Sequence, residues 1–212
     1  MPKPRILLAD DHTLVAEAFK RLLEPEFDVV GTVADGRALL RVAPELKPDV
    51  VLVDLNMPLL NGLDASEQLK QIAPRIKIIV LTMNEDPEIA AATLDKWASG
   101  YLLKKSAASE LLKAVRDVLR GGKYVTPALE GVIPNRASRD SRAEPARSLT
   151  PRQREVLQLL AEGHTMKEAA AILNVATRTV AFHKYRIMQK FGLENNSDLL
   201  RFAMKHGLVN QT

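Results

Sequence analysis

Five polar side chains in the first half of the chain each follow a short apolar run, and together they could bind and transfer a phosphoryl group. The five are Asp10, Asp11, Asp54, Thr82 and Lys104. Three carboxylates brought together need a counter-charge, which a hard cation such as Mg²⁺ and the lysine could supply. A carboxylate held between such charges is an activated nucleophile towards phosphorus. Asp54 is the best candidate for that nucleophile, because it ends the central run.

The apolar runs predict the scaffold that must position these side chains. The predicted strands are Ile6–Ala9, Val29–Val33, Val50–Val53, Ile78–Leu81 and Tyr101–Leu103. Amphipathic helical patterns lie between them, and repeated β–α units with nearly continuous apolar strands predict a parallel sheet covered on both faces by helices. Ligands bind at the carboxyl ends of parallel strands, so we expect the five polar side chains at one edge of the sheet.

Each of these residues also has an ordinary role when it is taken alone. Asp10 and Asp11 could cap the first helix, which is the favoured interpretation if they are considered by themselves. Thr82 could be an ordinary strand residue, and Lys104 could be a solvated surface lysine. The Asn-Gly pair that ends at Gly62 is foremost a turn. Their joint occurrence at the ends of apolar strands nevertheless favours a common site.

Size and composition limit the class of protein. A chain of 212 residues fits two domains, and 46% hydrophobic with 26% charged residues is an ordinary globular mixture. The sequence contains no cysteine, which excludes disulfides and thiolate metal sites. No apolar run approaches the ~18 residues of a membrane span, and the N-terminus leads directly into a strand. We therefore expect a cytoplasmic protein with no membrane segment.

Charge and composition divide the chain. Residues 1–122 carry 16 Lys+Arg and 18 Asp+Glu, whereas the remaining residues carry 14 and 8. A basic second half indicates binding to a polyanion, although a solvated surface explains the charge equally well. Residues 123–148 are rich in Pro, Ser, Ala and Arg and predict a flexible linker, with a short helical piece around TPALEGVI.

Helical signals resume in residues 149–212. Thr150 and Thr165 each begin a capping box, with Gln153 and Glu168 three residues later. Two further helices are predicted, over about 177–191 and 197–205. Four short helices with a tight turn between the second and third predict an all-α helix-turn-helix domain.

The first half resembles the receiver domain of bacterial two-component response regulators, a flavodoxin-like α/β fold with a five-stranded parallel sheet. The segments LLADDH, VDLNMPLLNG, VLTMNED and SGYLLKK carry the resemblance. It implies that Asp54 accepts a phosphoryl group from a sensor histidine kinase and that Lys104 holds the phosphate. It also implies a Mg²⁺ site. Its ligands would be the side chains of Asp11 and Asp54, the backbone carbonyl of Asn56 and, through water, Asp10.

The same resemblance implies a switch. Thr82 would move towards the phosphoryl oxygens, and Tyr101 would rotate inward, which would couple phosphorylation to the surface of the fourth helix, fifth strand and fifth helix.

Residues 149–212 resemble the LuxR/NarL-type helix-turn-helix, through the segments LTPRQREVLQLLAEG, KEAAAIL and TRTVAFHKYRIMQKFG. The resemblance implies that the third helix enters the major groove of double-stranded DNA and that the protein binds DNA as a homodimer. Val180, Ile187 and Phe191 form the stripe expected to be buried. The expected DNA contacts are Arg178, Ala181, Phe182, Lys184, Tyr185, Arg186, Gln189 and Lys190.

These contacts divide by chemistry. Lys184, Arg186 and Lys190 are candidate phosphate contacts. Phe182 and Tyr185 could instead pack against a neighbouring helix, which the stripe geometry makes the weaker interpretation. The LuxR/NarL type commonly has a lysine where Ala181 stands, so we hypothesise that apolar contact with thymine methyl groups replaces lysine–base bonds.

The last helix contains a second apolar cluster. Leu199, Leu200, Ala203 and Met204 could form the dimer contact, pack within the helical bundle, or divide between these roles.

The sequence therefore predicts a phosphorylation-controlled transcription regulator that is not an enzyme beyond forming and losing its own aspartyl phosphate. Two other classes stay open. A Mg²⁺-dependent phosphotransferase acting on small molecules is one, although such enzymes often have an acid at the position of Asn56. An interaction module switched by protein binding is the other, and the complete set of five polar residues argues against it.

Overall fold

The structure is a computed structural model that describes residues 2–133 and 148–209. These residues form an α/β domain and a helical domain. Among them, no helix combines the length and the apolar character needed to cross a membrane.

A parallel sheet with five helices forms the α/β domain. The strands are β1 Arg5–Ala9, β2 Asp28–Val33, β3 Val50–Val53, β4 Lys77–Thr82, β5 Gly100–Leu103 and β6 Tyr124–Val125. They lie in the order β2-β1-β3-β4-β5-β6, and every neighbouring pair is parallel. The helices are α1 Thr13–Leu23, α2 Gly36–Leu46, α3 Gly62–Ile72, α4 Pro87–Lys96 and α5 Ala107–Leu119. The predicted fold class is confirmed.

The sheet has six strands, and the prediction of five is wrong in this respect. Strand β6 lies in the segment 123–148 that its composition assigned to a linker. Backbone hydrogen bonds join it to β5, from Tyr124 N to Ser99 O (3.1 Å) and from Thr126 N to Tyr101 O (3.0 Å). A strand of two residues has no detectable alternation of polar and apolar positions. It can therefore be identified only from its pairing with β5 in the folded domain. A 3₁₀ turn at Pro127–Leu129 matches the expected short helical piece, whereas residues 134–147 of the predicted linker lie outside the described residues.

Burial on both faces explains the continuous apolar strands. Every residue of β3 is at most 1% exposed. One face of the sheet packs against Phe19 and Leu23 of α1 and against Leu111 and Val115 of α5. Strands of this kind hold the residues at their carboxyl ends in fixed positions.

The helical domain consists of α6 Pro151–Ala161, α7 Met166–Leu173, α8 Thr177–Phe191 and α9 Asn196–Lys205. Both predicted capping boxes form, at Thr150 and at Thr165. Asn174 ends α7 in the left-handed conformation (φ 51°), as its short polar side chain allows. The tight turn that follows leads directly into α8.

The buried side of α8 is the predicted one. Val180 and Ile187 are fully buried, and the ring of Phe191 lies 4.5 Å from that of Phe202 in α9, measured between centroids. In α9, Leu199 belongs to the core, whereas Leu200 is 36% exposed. The apolar cluster predicted for this helix therefore divides between the core and the surface.

Candidate functional site

The carboxyl edge of the sheet brings together the predicted acidic residues and the lysine. Asp10 follows β1, Asp54 follows β3, Thr82 ends β4 and Lys104 follows β5. The backbone N–H of Asp54 donates to the carbonyl of Ala9 at 2.8 Å and so continues the pairing of β1 with β3. Asp10 and Asp54 are only 5% and 3% exposed. Two carboxylates are thus buried side by side.

Lys104 provides one positive charge to this pair of carboxylates. Its Nζ atom lies 2.7 Å from Asp54 Oδ2 and 2.8 Å from Asp10 Oδ2. Burial raises the pKa of Asp54, and the hydrogen bond and charge of Lys104 oppose that shift only in part. Burial alone would lower the pKa of Lys104, but the two carboxylates outweigh it, so that pKa is raised and the lysine keeps its charge.

The acidic cluster has a donor set that fits Mg²⁺. Asp10, Asp11, His12 and Asp54 each offer one possible ligand atom, all within 4.8 Å of one another. Within the described part of the chain, the buried Asp11 Oδ1 atom accepts no hydrogen bond, although His12 Nδ1 lies 2.9 Å away. Oxygen donors from carboxylates are the ligands that Mg²⁺ prefers. Asn56 lies beside them, with its backbone N 3.4 Å from Asp54 Oδ1.

Neither aspartate that follows β1 caps α1. The N-cap residue of α1 is His12, and no side chain makes a capping hydrogen bond there. Asp10 Oδ1 instead accepts a bond from the backbone N–H of His12 at 3.0 Å. The helix-cap alternative for these two residues is therefore not observed.

Thr82 and Tyr101 both bind the backbone of Asn84. The hydroxyl oxygen of Thr82 accepts a hydrogen bond from Asn84 N at 3.1 Å, and the Tyr101 hydroxyl donates to Asn84 O at 2.9 Å. Both residues are fully buried, so the Tyr101 ring already occupies an inward position. Burial raises the pKa of Tyr101, which keeps the hydroxyl protonated as a donor. The two side chains thus connect the segment after β4 to the sheet.

Gly62 is a site residue whose sequence context indicates only a turn. It is the first residue of α3, and a Cβ atom there would lie 1.8 Å from the carbonyl oxygen of Asp54 and 3.0 Å from Leu55 Cα. Only glycine allows α3 to begin this close to the Asp54 backbone. The sequence signal was the Asn-Gly pair, which indicates a turn but not the close approach to Asp54.

A second candidate site is the exposed face of α8. Phe182 is 55% exposed and Tyr185 is 61% exposed, so neither ring is buried in the core of the helical domain. Arg178, Arg186 and Gln189 are exposed on the same face, and Ala181 and Lys184 lie half-buried beside it. Lys190 is exposed, and its Nζ atom donates to Ser148 O at 2.6 Å. The predicted set thus forms one basic and aromatic surface.

His183 lies next to this surface and provides a prediction that can be tested without DNA. Burial lowers its pKa, and the positive charges of Arg152 and Arg186 lower it further. We expect the pKa of His183, measured by NMR titration of the ring protons, to lie below the ordinary histidine value of about 6.5. Replacing Arg186 with glutamine should move it upwards, whereas a wild-type pKa at or above that value would contradict the described environment.

Comparison with known proteins assigns each half of the chain to a family. Residues 6–116 match the response regulator receiver domain, and residues 147–203 match the luxR family of bacterial regulatory proteins. The chain is 36% identical over 215 residues to the oxygen regulatory protein NreC of Staphylococcus carnosus, which covers 97% of this chain and 99% of that protein. It is 32% identical over 213 residues to the transcriptional regulatory protein MctR of Rhizobium johnstonii, with 99% and 97% covered.

Solved structures of a response regulator are also similar to this chain. The RcsB response regulator of Salmonella typhimurium matches with a TM-score of 0.64 at 32% identity, over 97% of this chain and 98% of that one. A structure of the two-component response regulator RcsB in complex with DNA matches with a TM-score of 0.60 at 33% identity, over 94% and 97%.

The fold and the acidic site thus define a receiver domain, joined in the same chain to a luxR-type helix-turn-helix domain. The chain belongs to the NarL/LuxR family of two-component response regulators. As a member of that family it is a phosphorylation-dependent, DNA-binding transcription regulator rather than an enzyme acting on small molecules, and its partners are a sensor histidine kinase and double-stranded DNA.

Proposed function

We propose that Asp54 is the phosphoryl acceptor of this regulator and that the exposed face of α8 contacts the major groove. The observation that carries the first part is the buried Asp54 carboxylate, 2.7 Å from the ammonium group of Lys104. Such a pair lowers the cost of adding a dianionic group at this edge of the sheet. Thr82 and Tyr101 would form the switch, because both bind the backbone of Asn84.

The transfer uses the chain's own residues as follows. A carboxylate oxygen of Asp54 attacks the phosphorus of a phosphohistidine on the kinase, a P–O bond forms and the P–N bond breaks. The electron pair of that bond stays on the imidazole nitrogen, which takes up a proton from water. Lys104 pairs with the phosphoryl oxygens as its contact with the Asp54 carboxylate is given up. Attack of water on phosphorus later releases inorganic phosphate and restores the Asp54 carboxylate.

We propose Mg²⁺ as the cation of this site. Asp11, Asp54 and the Asn56 carbonyl would hold it directly, and Asp10 would hold it through water. The ion would supply positive charge that offsets the negative charge on the oxygens of the entering phosphoryl group. The proposal is supported by four possible ligand atoms within 4.8 Å of one another, most of them carboxylate oxygens.

The domain boundaries, the cellular location and the oligomeric state complete the proposal. We propose that the receiver domain, predicted over residues 1–122, continues through strand β6, that the linker is the rest of the predicted segment 123–148, and that residues 149–212 are the DNA-binding domain. We also propose that the protein is cytoplasmic and binds DNA as a homodimer. Leu200 is the favoured dimer contact of α9, because Leu199 and Ala203 are already buried in the core of their own domain.

Phosphorylation-dependent DNA binding tests the proposal. We expect a small phosphodonor with Mg²⁺ to change the affinity of the full-length protein for a duplex that it enriches from a random pool. The Asp54→Asn variant should bind with one affinity whether or not the phosphodonor is present, and Asp28→Asn, at a surface carboxylate, should respond like the wild type. Equal responses of the wild type and Asp54→Asn would refute the assignment of Asp54.

A further inference from the structure

Phe182 is an exposed aromatic ring on a helix face that otherwise carries charged and polar groups. It lies four residues after Arg178 and three before Tyr185, on one stripe along α8. The stripe is opposite the buried residues Val180 and Ile187, so the ring takes no part in the core of its domain. Together with Tyr185, which is 61% exposed three residues later, it gives this face two aromatic rings that are available to a partner.

Two neighbours hold the Phe182 ring in place. The guanidinium carbon of Arg186 lies 5.0 Å from the ring centroid, and the His183 ring meets it edge-on at 5.6 Å and 71°. A cation over the face of an aromatic ring is attracted to it electrostatically. These contacts favour the outward position in which the structure places the ring.

The major groove contains one apolar group that such a ring can contact. All four bases present hydrogen-bond donors or acceptors there, and thymine alone adds an apolar C5-methyl group. A phenylalanine cannot hydrogen-bond with the bases and gains free energy only by burying apolar surface. The small side chain of Ala181, half-buried beside Phe182, leaves room for the pyrimidine edge.

We infer that Phe182 contacts the C5-methyl group of a pyrimidine in each half-site, and that Arg186 is a positioning residue that holds the ring. The inference rests on the proposed entry of α8 into the major groove. It makes the methyl group, rather than the pairing edge of the base, the feature that is recognised. A cytosine carrying a C5-methyl group should therefore bind better than plain cytosine at the same position.

The test uses the full-length protein and a duplex that it enriches from a random pool. Each thymine is replaced singly by deoxyuridine, which removes only the methyl group. We expect wild-type affinity to fall about fourfold at one thymine in each half-site, the value for burying one methyl-sized group. At that position Phe182→Ala should bind thymine and uracil equally, whereas Phe182→Leu should keep part of the difference.

The positioning role of Arg186 is tested by a separate measurement. Replacing it with glutamine removes a cation and should weaken binding to every duplex, but a positioning role predicts in addition a smaller ratio between thymine and uracil affinities. An unchanged ratio would refute that role. Thermal unfolding of the Phe182 variants checks that the helical domain is intact.

Two results would overturn the inference. One is a wild-type protein that binds every uracil-substituted duplex as tightly as the parent duplex. The other is a Phe182→Ala variant that still distinguishes thymine from uracil. Failure to enrich any duplex, with or without the phosphodonor, would instead refute the proposed binding of α8 to DNA, so the two failures are distinguishable.

Discussion

Replacing Lys104 with methionine should destabilise the α/β domain by about 3–5 kcal/mol, the cost of leaving a buried charge without its partner. The lysine lies within 2.8 Å of two carboxylates that are almost fully buried, Asp10 and Asp54. When a chelator keeps divalent cations away, removing the lysine leaves both carboxylates without a counter-charge. Urea unfolding followed by fluorescence measures the effect, because Trp97 is the only tryptophan and lies buried in this domain.

Lys105→Met is the matched control. Its ammonium group pairs with Glu85 at 2.6 Å, but both side chains are about half exposed. Exposed ion pairs contribute about 0–1 kcal/mol, so this variant should unfold close to the wild-type urea concentration. Equal losses in the two variants, or no loss in Lys104→Met, would contradict the described site.

Replacing Gly62 with alanine should be the second severe change. The added Cβ atom would lie 1.8 Å from the Asp54 carbonyl oxygen, and backbone on that side cannot give way as a flexible side chain can. We expect a loss of about 3 kcal/mol or more in the free energy of unfolding, at the upper end of overpacking costs. The shift of the Asp54 backbone should also lower phosphoryl uptake.

Gly121→Ala separates this clash from an ordinary glycine effect. Gly121 has a φ of 91° but nothing within 4 Å of its added Cβ, so its cost should be the conformational one of about 1–2 kcal/mol. Trp97 fluorescence in urea compares the two variants directly. A Gly62→Ala protein as stable as Gly121→Ala would show that α3 does not need to approach Asp54 so closely.

Local rules were sufficient for most elements of the fold. The capping boxes at Thr150 and Thr165 were predictable because a cap depends on residues only three positions apart. Strand β3 was predicted with its observed bounds, since burial on both faces leaves a continuous apolar run. The exposed stripe of α8 followed from helical periodicity in the same way.

The remaining features depend on contacts between distant segments. Strand β6 exists because β5 offers free backbone groups to Tyr124 and Val125, which no local pattern encodes. The need for glycine at position 62 arises from the backbone of Asp54, and the two chain segments meet only in the folded domain. The inward position of Tyr101 likewise depends on the Asn84 carbonyl.

Intact-mass spectrometry after incubation with Mg²⁺ and a small acyl phosphate tests whether Asp54 receives the phosphoryl group. We expect one added phosphoryl group on the wild type and on Asp28→Asn, and none on Asp54→Asn. An adduct on Asp54→Asn equal to that on the wild type would contradict this assignment, and so would a wild-type protein that gains no phosphoryl group at any time point.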